Sequence, residues 1–551
     1  MDPLSVAGLT IAVLDQLWKI GERTAELVSN YRDFDTDTRV LENKLRDENN
    51  RTRALKLLLF DRSSTYGGRS LFDQFDMDVQ SQILGFLGQA SDVLEQAHRL
   101  LDRPHKSDIK DKELRLPASP NLLATISPIP STVSLNSTEL ALKRPRSFQK
   151  MKWSLMDKKR VGTIVQDYSE LNGRIHESIK LWCLGTSIGV NLQHLNRLET
   201  DDNSRALGFD VDARLQMATS LTQSSVQSLE INDPSLRRTV ELAKTFGNKF
   251  SICEWEGKPC LVEFRSYSPD SPVAVELDDR TRDLVDRLAN LLHQPKEIAF
   301  RTPKCQGWVN QMQHNRVAYM FSIPEVTEPS PSNLLDILSS TSSPPSLSKR
   351  FSLAHKLSRC ISQLHLVKWP NTRQVHESFR SENVLFFPAT ASRGMSTSSE
   401  RELDISEPWL LGFEFSRPEQ YFSLGHADEC LSRDIYRHPE RQRSPTQTFN
   451  KIHDIYALGV VLLEIGLWQS VSSLDKSGFS KVRDPREIQK YLIKHAERRL
   501  GGKMGEKYQR LVIRCLKGDF GVVDDTKEDL KLQQAFRGYV VDLLQKSADS
   551  I

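Results

Sequence analysis

At 551 residues, with 38% apolar side chains, the chain exceeds what one hydrophobic core can organise and calls for two or three domains. Its 75 basic and 72 acidic residues leave a net charge of +3, which excludes a global field that would draw it to nucleic acid or to a membrane. The seven cysteines (Cys183, Cys253, Cys260, Cys305, Cys360, Cys430 and Cys515) are scattered without a C-x-x-C pair and read as reduced thiols, not as disulfides or zinc ligands. Met1-Asp2-Pro3 lacks the basic stretch of a secretory signal, and no apolar run reaches the roughly 20 residues of a membrane-spanning helix, so the expectation is a cytoplasmic protein.

The first hundred residues read as successive helices over 4–20, 25–59 and 73–101, with apolar positions three and four apart. Leu84, Leu87, Val93, Leu94 and Ala97 mark the expected inner stripe of the third. Between Leu4 and Leu14 only Ser5, Gly8 and Thr10 are not apolar, so this segment suits either the centre of a bundle or insertion into a membrane through Leu4, Val6, Leu9, Ile11, Val13 and Leu14. Such a helix would span about 16 Å at 1.5 Å per residue, against about 30 Å of bilayer hydrocarbon. One copy alone cannot cross, and insertion would need partial burial, extension into the next helix or several copies.

From about 103 to 149 the periodicity dissolves among prolines and serines, predicting a flexible insertion. Helical spacing resumes from Met151 through Trp153, Val161, Val165, Tyr168, Ile175 and Leu181, so residues 1–222 read as a helical bundle interrupted by that insertion. Lys143, Arg144, Arg146, Lys150, Lys152, Lys158, Lys159 and Arg160 form a basic run opposed only by Asp157. Near an anionic membrane each charge contributes about 1 kcal/mol; a solvated helix face or a nuclear-import patch explains the same residues.

Beyond about 226 the texture changes. Residues 250–256 and 259–267 read as strands around Gly257, and 317–321 as another, whereas 353–366 and 455–465 return to helical spacing. A small β-containing lobe at about 230–325 precedes a larger helical one at about 330–545, within a second domain at 223–551, and the fold class is α+β. Serines at 339–348 and 392–399, in proline- and serine-rich loops, are candidate phosphate acceptors.

Within that second half, His376, Ser378 and Asn383 have the layout of H-R-D-L-x-x-x-N, with serine in the place of the aspartate. Leu411-Gly412-Phe413-Glu414 stands where D-F-G belongs, His438-Pro439-Glu440 where A-P-E belongs, and 454–464 matches the helix that begins D-x-W-S-x-G-V. Val262-Glu263-Phe264-Arg265 is the candidate for V-A-I-K, with Asp283 or Asp286 as its acidic partner. Over roughly 230–545 the chain is similar to the protein kinase superfamily, in the divergent form found in fungal multidomain proteins, which implies a bilobal fold. The resemblance also implies that Asp454 caps its helix, that His376 packs on Phe413, and that Glu440 and Asp454 are buried structural partners.

The catalytic positions fail one by one. Ser378 is a poor base near neutral pH, Gly412 removes the metal-binding carboxylate, Arg265 replaces the phosphate-pairing lysine, and no G-x-G-x-x-G precedes the strand. Asn383 alone is retained, and an amide is a weak sole anchor for magnesium. The expectation is a pseudokinase without metal or cofactor. The alternative is an atypical kinase or ATP-binding protein that uses Glu377 or Glu414, with Asn383 and Arg265 at the nucleotide.

Residues 1–22, together with Lys152-Trp153-Ser154-Leu155-Met156-Asp157-Lys158, resemble the HeLo domain of fungal cell-death and prion-associated proteins over about 1–220. That resemblance implies a bundle that acts by moving its first helix into a membrane. Joined to a pseudokinase it resembles the arrangement of mixed-lineage kinase domain-like proteins in animal necroptosis. The reading is a signalling or cell-death protein, controlled by a protein partner or an upstream kinase, that assembles as a homo-oligomer on activation and is then recruited to membrane lipid. A non-membrane interaction adaptor is the further alternative, and no nucleic-acid partner is expected.

Overall fold

The structure, a computed structural model, describes residues 5–29, 36–101, 155–220, 227–247, 249–267, 273–323, 330–340, 343–367, 379–388, 403–413, 431–442, 450–474, 482, 484–526 and 528–551. It has a helical N-terminal region and a mixed α/β C-terminal part. The chain divides into two compact units, 1–179 and 180–551. The insertion expected at 103–149 lies outside the described residues.

The first unit contains α1 (Val6–Ser29), α2 (Thr36–Phe60), α3 (Met77–Leu101) and most of α4 (Leu155–Gly185). Thr10, Leu14, Leu17, Gly21, Thr24 and Val28 are buried in α1, alternating four and three residues apart, which makes one seam against α2 and α3. The segment over 4–14, read as either the centre of a bundle or a membrane-inserting helix, is covered on one face. Leu14 is buried, but Val6, Ile11 and Val13 are half-buried and Leu9 is 44% exposed, because a single seam covers one face and leaves the flanking apolar positions at the surface. Leu4 lies outside the described residues. The inner stripe of α3 runs through Ile83, Leu87, Ala90, Leu94 and Ala97, while Leu84 and Val93 are half-buried.

The helix expected over 25–59 is two helices, and the second of them meets its neighbours through polar groups. Glu48, nearly buried, accepts hydrogen bonds from Ser169 Oγ at 2.8 Å and Asn172 Nδ2 at 2.6 Å on α4. Asn49 Nδ2 donates to Glu22 on α1 at 2.6 Å, and Lys56 pairs with Asp15 of α1 at 2.5 Å. Buried polar atoms must find partners, and here those partners lie on other helices.

The second unit carries an antiparallel sheet of β1 (Thr245–Phe246), β2 (Phe250–Trp255), β3 (Lys258–Ser266), β4 (Cys305–Gln311) and β5 (Arg316–Ser322), in the order β1-β2-β3-β5-β4. The β2–β3 turn uses Glu256 and Gly257 with φ of 50° and 72°, the pair of positive values that a two-residue hairpin requires. Helix α5 (Asp279–His293), capped by Asp278, packs on β4. The free edge of β4 is occupied by residues 229–231 through Ile231 N–H to Trp308 O (2.8 Å) and Trp308 N–H to Leu229 O (3.0 Å). A smaller sheet, β6 (Ser332–Asn333), β7 (Val384–Phe386) and β8 (Trp409–Leu410), joins the sheet region to a helical region.

In that helical region α6 (Leu347–Leu366) and α7 (Lys451–Leu467) pack together, and α7 also packs on the helices Pro485–Met504 and Glu506–Lys517. Every α7 residue from His453 to Leu467 is buried, which is why its sequence is apolar on all faces rather than on one stripe. Six cysteines are free and buried; Cys430 lies outside the described residues. Among the described residues no helix is long and apolar enough to cross a membrane.

Candidate functional site

The second unit brings Arg265, Asn383 and Gly412, far apart in sequence, into one cleft between the large sheet and the helical region. The two-residue period of β3 places Glu263 and Arg265 on the same face, and the Arg265 guanidinium meets the Glu263 carboxylate at 2.5 Å. The other Glu263 oxygen accepts the Gly412 backbone N–H at 3.3 Å. Glu263 is 2% exposed and Arg265 10%, so the pair is enclosed.

Residues 381–383 form a short helical turn leading into β7. Within it Asn383 N–H donates to Arg380 O (2.9 Å), Leu411 N–H donates to Asn383 O (3.0 Å), and Arg380 pairs with Glu382 at 3.1 Å. The turn is pinned from behind by Glu464, at the end of α7, which accepts from Ser381 Oγ, Tyr436 OH (2.8 Å) and Val471 N–H (2.7 Å). Burial pushes the Glu464 carboxyl up to about 7. Half-buried Lys249 faces the same cleft; burial and then the Arg265 guanidinium lower its ammonium to about 7.

Gly412 has φ of +89°, and a Cβ there would stand 2.2 Å from Asn383 Nδ2. No side chain fits at residue 412 in this arrangement, so the absence of a carboxylate is built into the packing of fully buried Asn383. Among the described residues, magnesium would find one neutral amide and two carboxylates, Glu263 and Glu382, each already paired with an arginine. A nucleotide's phosphates would find the Arg265 guanidinium already bonded to the Glu263 carboxylate. The described residues do not fit ATP with magnesium.

Other expectations are corrected by the side chains. Neither Asp283 nor Asp286 reaches Arg265: Asp283 pairs with Arg287, while Asp286 accepts from Trp308 Nε1 (2.7 Å), Ser228 Oγ (2.9 Å) and Leu229 N–H (3.1 Å), tying residues 228–229 to the sheet. Asp454 does not cap α7, because Asn450 does so in a capping box with His453. Asp454 is instead buried against His365 Nε2 at 2.9 Å, where burial raises the carboxyl and lowers the imidazole to about 3. Glu440 is 31% exposed, not buried, and Phe413 is buried.

His376, Glu377, Ser378 and Glu414 lie outside the described residues, as do Lys143, Arg144, Arg146, Lys150, Lys152, the side chain of Lys158 and the serines of 392–399. Lys159 and Arg160 are exposed near the start of α4. Ser346 caps α6, so its hydroxyl is already engaged by the Lys349 N–H.

One cluster has the shape of a metal site. His438 Nδ1 and His453 Nε2 lie 3.6 and 3.7 Å from Glu440 Oε2, near the edge of about 3.3 Å for a tetrahedral zinc site. Yet His453 Nδ1 accepts the Asn450 N–H at 3.1 Å, so the neutral ring carries its proton on Nε2, the atom a metal would need. His438 Nδ1 accepts the Glu440 N–H at 3.4 Å, so both histidines serve as acceptors for backbone amides around the start of α7.

Residues 8–197, from α1 through Arg197 in the second unit, match the model of a family described as prion-inhibition and propagation. This region is a HeLo domain. Residues 278–551 match a domain of unknown function, DUF7580, a match that carries no kinase assignment. No curated protein matches the chain.

Proposed function

We propose that this is a signalling or regulated cell-death protein in which a kinase-like, non-catalytic C-terminal region controls the HeLo domain. The observation that carries the reading is the HeLo match over residues 8–197, whose family is described by prion inhibition and propagation. Three features support a kinase-like C-terminal build: a five-stranded sheet with one helix between β3 and β4, the turn 381–383 beside residues 410–413, and a helix buried on all sides at Lys451–Leu467. Gly412 packed on Asn383 supports a scaffold without phosphoryl transfer.

In this reading the protein rests in the cytoplasm. A protein partner or phosphorylation by another kinase acts on the C-terminal region, and the HeLo domain then self-associates and engages membrane lipid through the outer flank of α1. Val6, Leu9 and Val13 are apolar and only partly covered there, so they are available without unfolding the bundle.

The test is co-sedimentation of the full chain with phosphatidylserine-containing vesicles, scored beside its oligomeric state, for wild type and Leu9→Glu. Leu9 is 44% exposed, so the substitution leaves the fold intact. With phosphomimetic changes in residues 339–348 the otherwise wild-type chain should sediment and assemble, and Leu9→Glu in the same background should lose at least tenfold in vesicle association. Equal sedimentation of both proteins, or none by either under any phosphomimetic change in residues 339–348, would reject the membrane step and leave an interaction adaptor.

A further inference from the structure

The sequence over 262–265 marks Arg265 as the functional position and treats Glu263 as an ordinary strand residue. The structure reverses the emphasis. Glu263 is the more deeply buried of the two, and its carboxylate makes the contacts that an oxyanion ligand makes: a charge-assisted bond from a guanidinium at 2.5 Å and a backbone N–H at 3.3 Å from a residue with positive φ. Lys249, Arg380 and Glu382 lie within electrostatic reach of this pair, so the Glu263 carboxylate sits among basic groups. Arg265 Nε is buried and meets no acceptor among the described residues, which leaves part of its donor set unused.

We propose that Glu263 is a tethered anion filling a latent phosphate-binding site, its carboxylate taking the place between the Arg265 guanidinium and the Gly412 amide where a phosphate oxygen would sit. The wild-type cleft is therefore closed to phosphorylated small molecules by one of its own side chains. Loss of the metal-binding carboxylate explains why chemistry fails; Glu263 explains why the ligand is excluded as well. Removal of the carboxylate leaves the nearly buried Arg265 guanidinium without its Glu263 partner. Such a site gains affinity for a multiply charged anion that can enter, and that anion restores the stability lost with the carboxylate. The proposal stands on the cleft alone and is indifferent to whether the HeLo domain engages lipid.

The probe is inorganic pyrophosphate, added without metal to the full chain at constant ionic strength. Wild type, Glu263→Ala and the double variant Glu263→Ala/Arg265→Met are compared by thermal unfolding and isothermal titration calorimetry. Wild type should show no binding and no change in Tm. Glu263→Ala should unfold at a lower temperature, bind pyrophosphate with a submillimolar Kd and recover most of its lost Tm, and the double variant should not respond. Should Glu263→Ala fail to fold, Glu263→Gln keeps the volume and removes the charge, and it should bind pyrophosphate at least tenfold more tightly than wild type. Pyrophosphate binding by wild type equal to that of the variants overturns the proposal, as does an absence of binding by both single variants or an undiminished response in the double variant.

Discussion

Helices α1 and α7 are both strongly apolar and are used in opposite ways. In α7, 15 of 17 residues are buried, so the helix is the internal post of the C-terminal region. In α1 only 7 of 24 are buried, and those 7 follow a single seam that leaves Leu9 and Trp18 exposed. Apolar composition therefore says that a helix wants cover, not that its own fold supplies it. Where cover is complete, as around α7, the sequence has served stability; where it is partial, as around α1, apolar surface remains for another use.

That contrast breaks first at Leu458, fully buried in α7. Leu458→Ala should cost about 2–5 kcal/mol by the cavity it leaves, measured as a shift in urea midpoint at unchanged m-value. A cost below 1 kcal/mol would mean that α7 is not the post described.

The next effect is a pH dependence located at the end of α7. The Glu464 carboxyl rises from its ordinary 4.5 to about 7 on folding. A raised carboxyl pKa means that the folded state holds the proton more tightly, so its contribution is full below about pH 4.5 and is lost as pH rises through about 7. The loss amounts to up to about 3 kcal/mol. Glu464→Gln should remove that slope between pH 5 and 8 while keeping the slope from the buried histidines. His453, lowered to about 3, works in the opposite sense: its contribution is present above pH 6.5 and falls away as acid is added.

In the first unit the next effect belongs to a polar contact. Glu48→Ala removes the acceptor of Ser169 Oγ and the shorter of the two bonds from Asn172 Nδ2, and should cost about 1–3 kcal/mol, with α2 and α4 amides exchanging faster in hydrogen-exchange experiments. The smallest effect sharpens the contrast most. Leu9→Ala should change stability by no more than about 0.5 kcal/mol because the side chain is already partly in solvent. A loss comparable to that at Leu458 would place Leu9 in a core.

Elements with strong periodicity were readable from the sequence: α1, α3, α4, the β2–β3 hairpin, β5, α6 and α7 all appear near their expected places. Strand β4 was not, because Gln306, Asn310 and Gln311 interrupt its alternation and a register shift falls between Cys305 and Gly307. Strands β7 and β8, three and two residues long, are too short to carry a pattern. At the candidate site, spacing alone reached Arg265, Asn383 and Gly412. Glu263 was missed because a single carboxylate in a strand resembles an outward-facing residue; the available signal was its position two before Arg265, which puts both on one face. The Asp286–Trp308 and Ser381–Glu464 bonds join residues 22 and 83 apart and leave no local trace.

The most direct measurement is titration of the full chain with ATP in the presence and absence of magnesium, followed by isothermal calorimetry with Asn383→Ala as the comparison. With Glu263 in place and Gly412 packed on Asn383, no binding is expected under either condition. Magnesium-dependent binding by wild type that is lost in Asn383→Ala would contradict a closed, non-catalytic cleft.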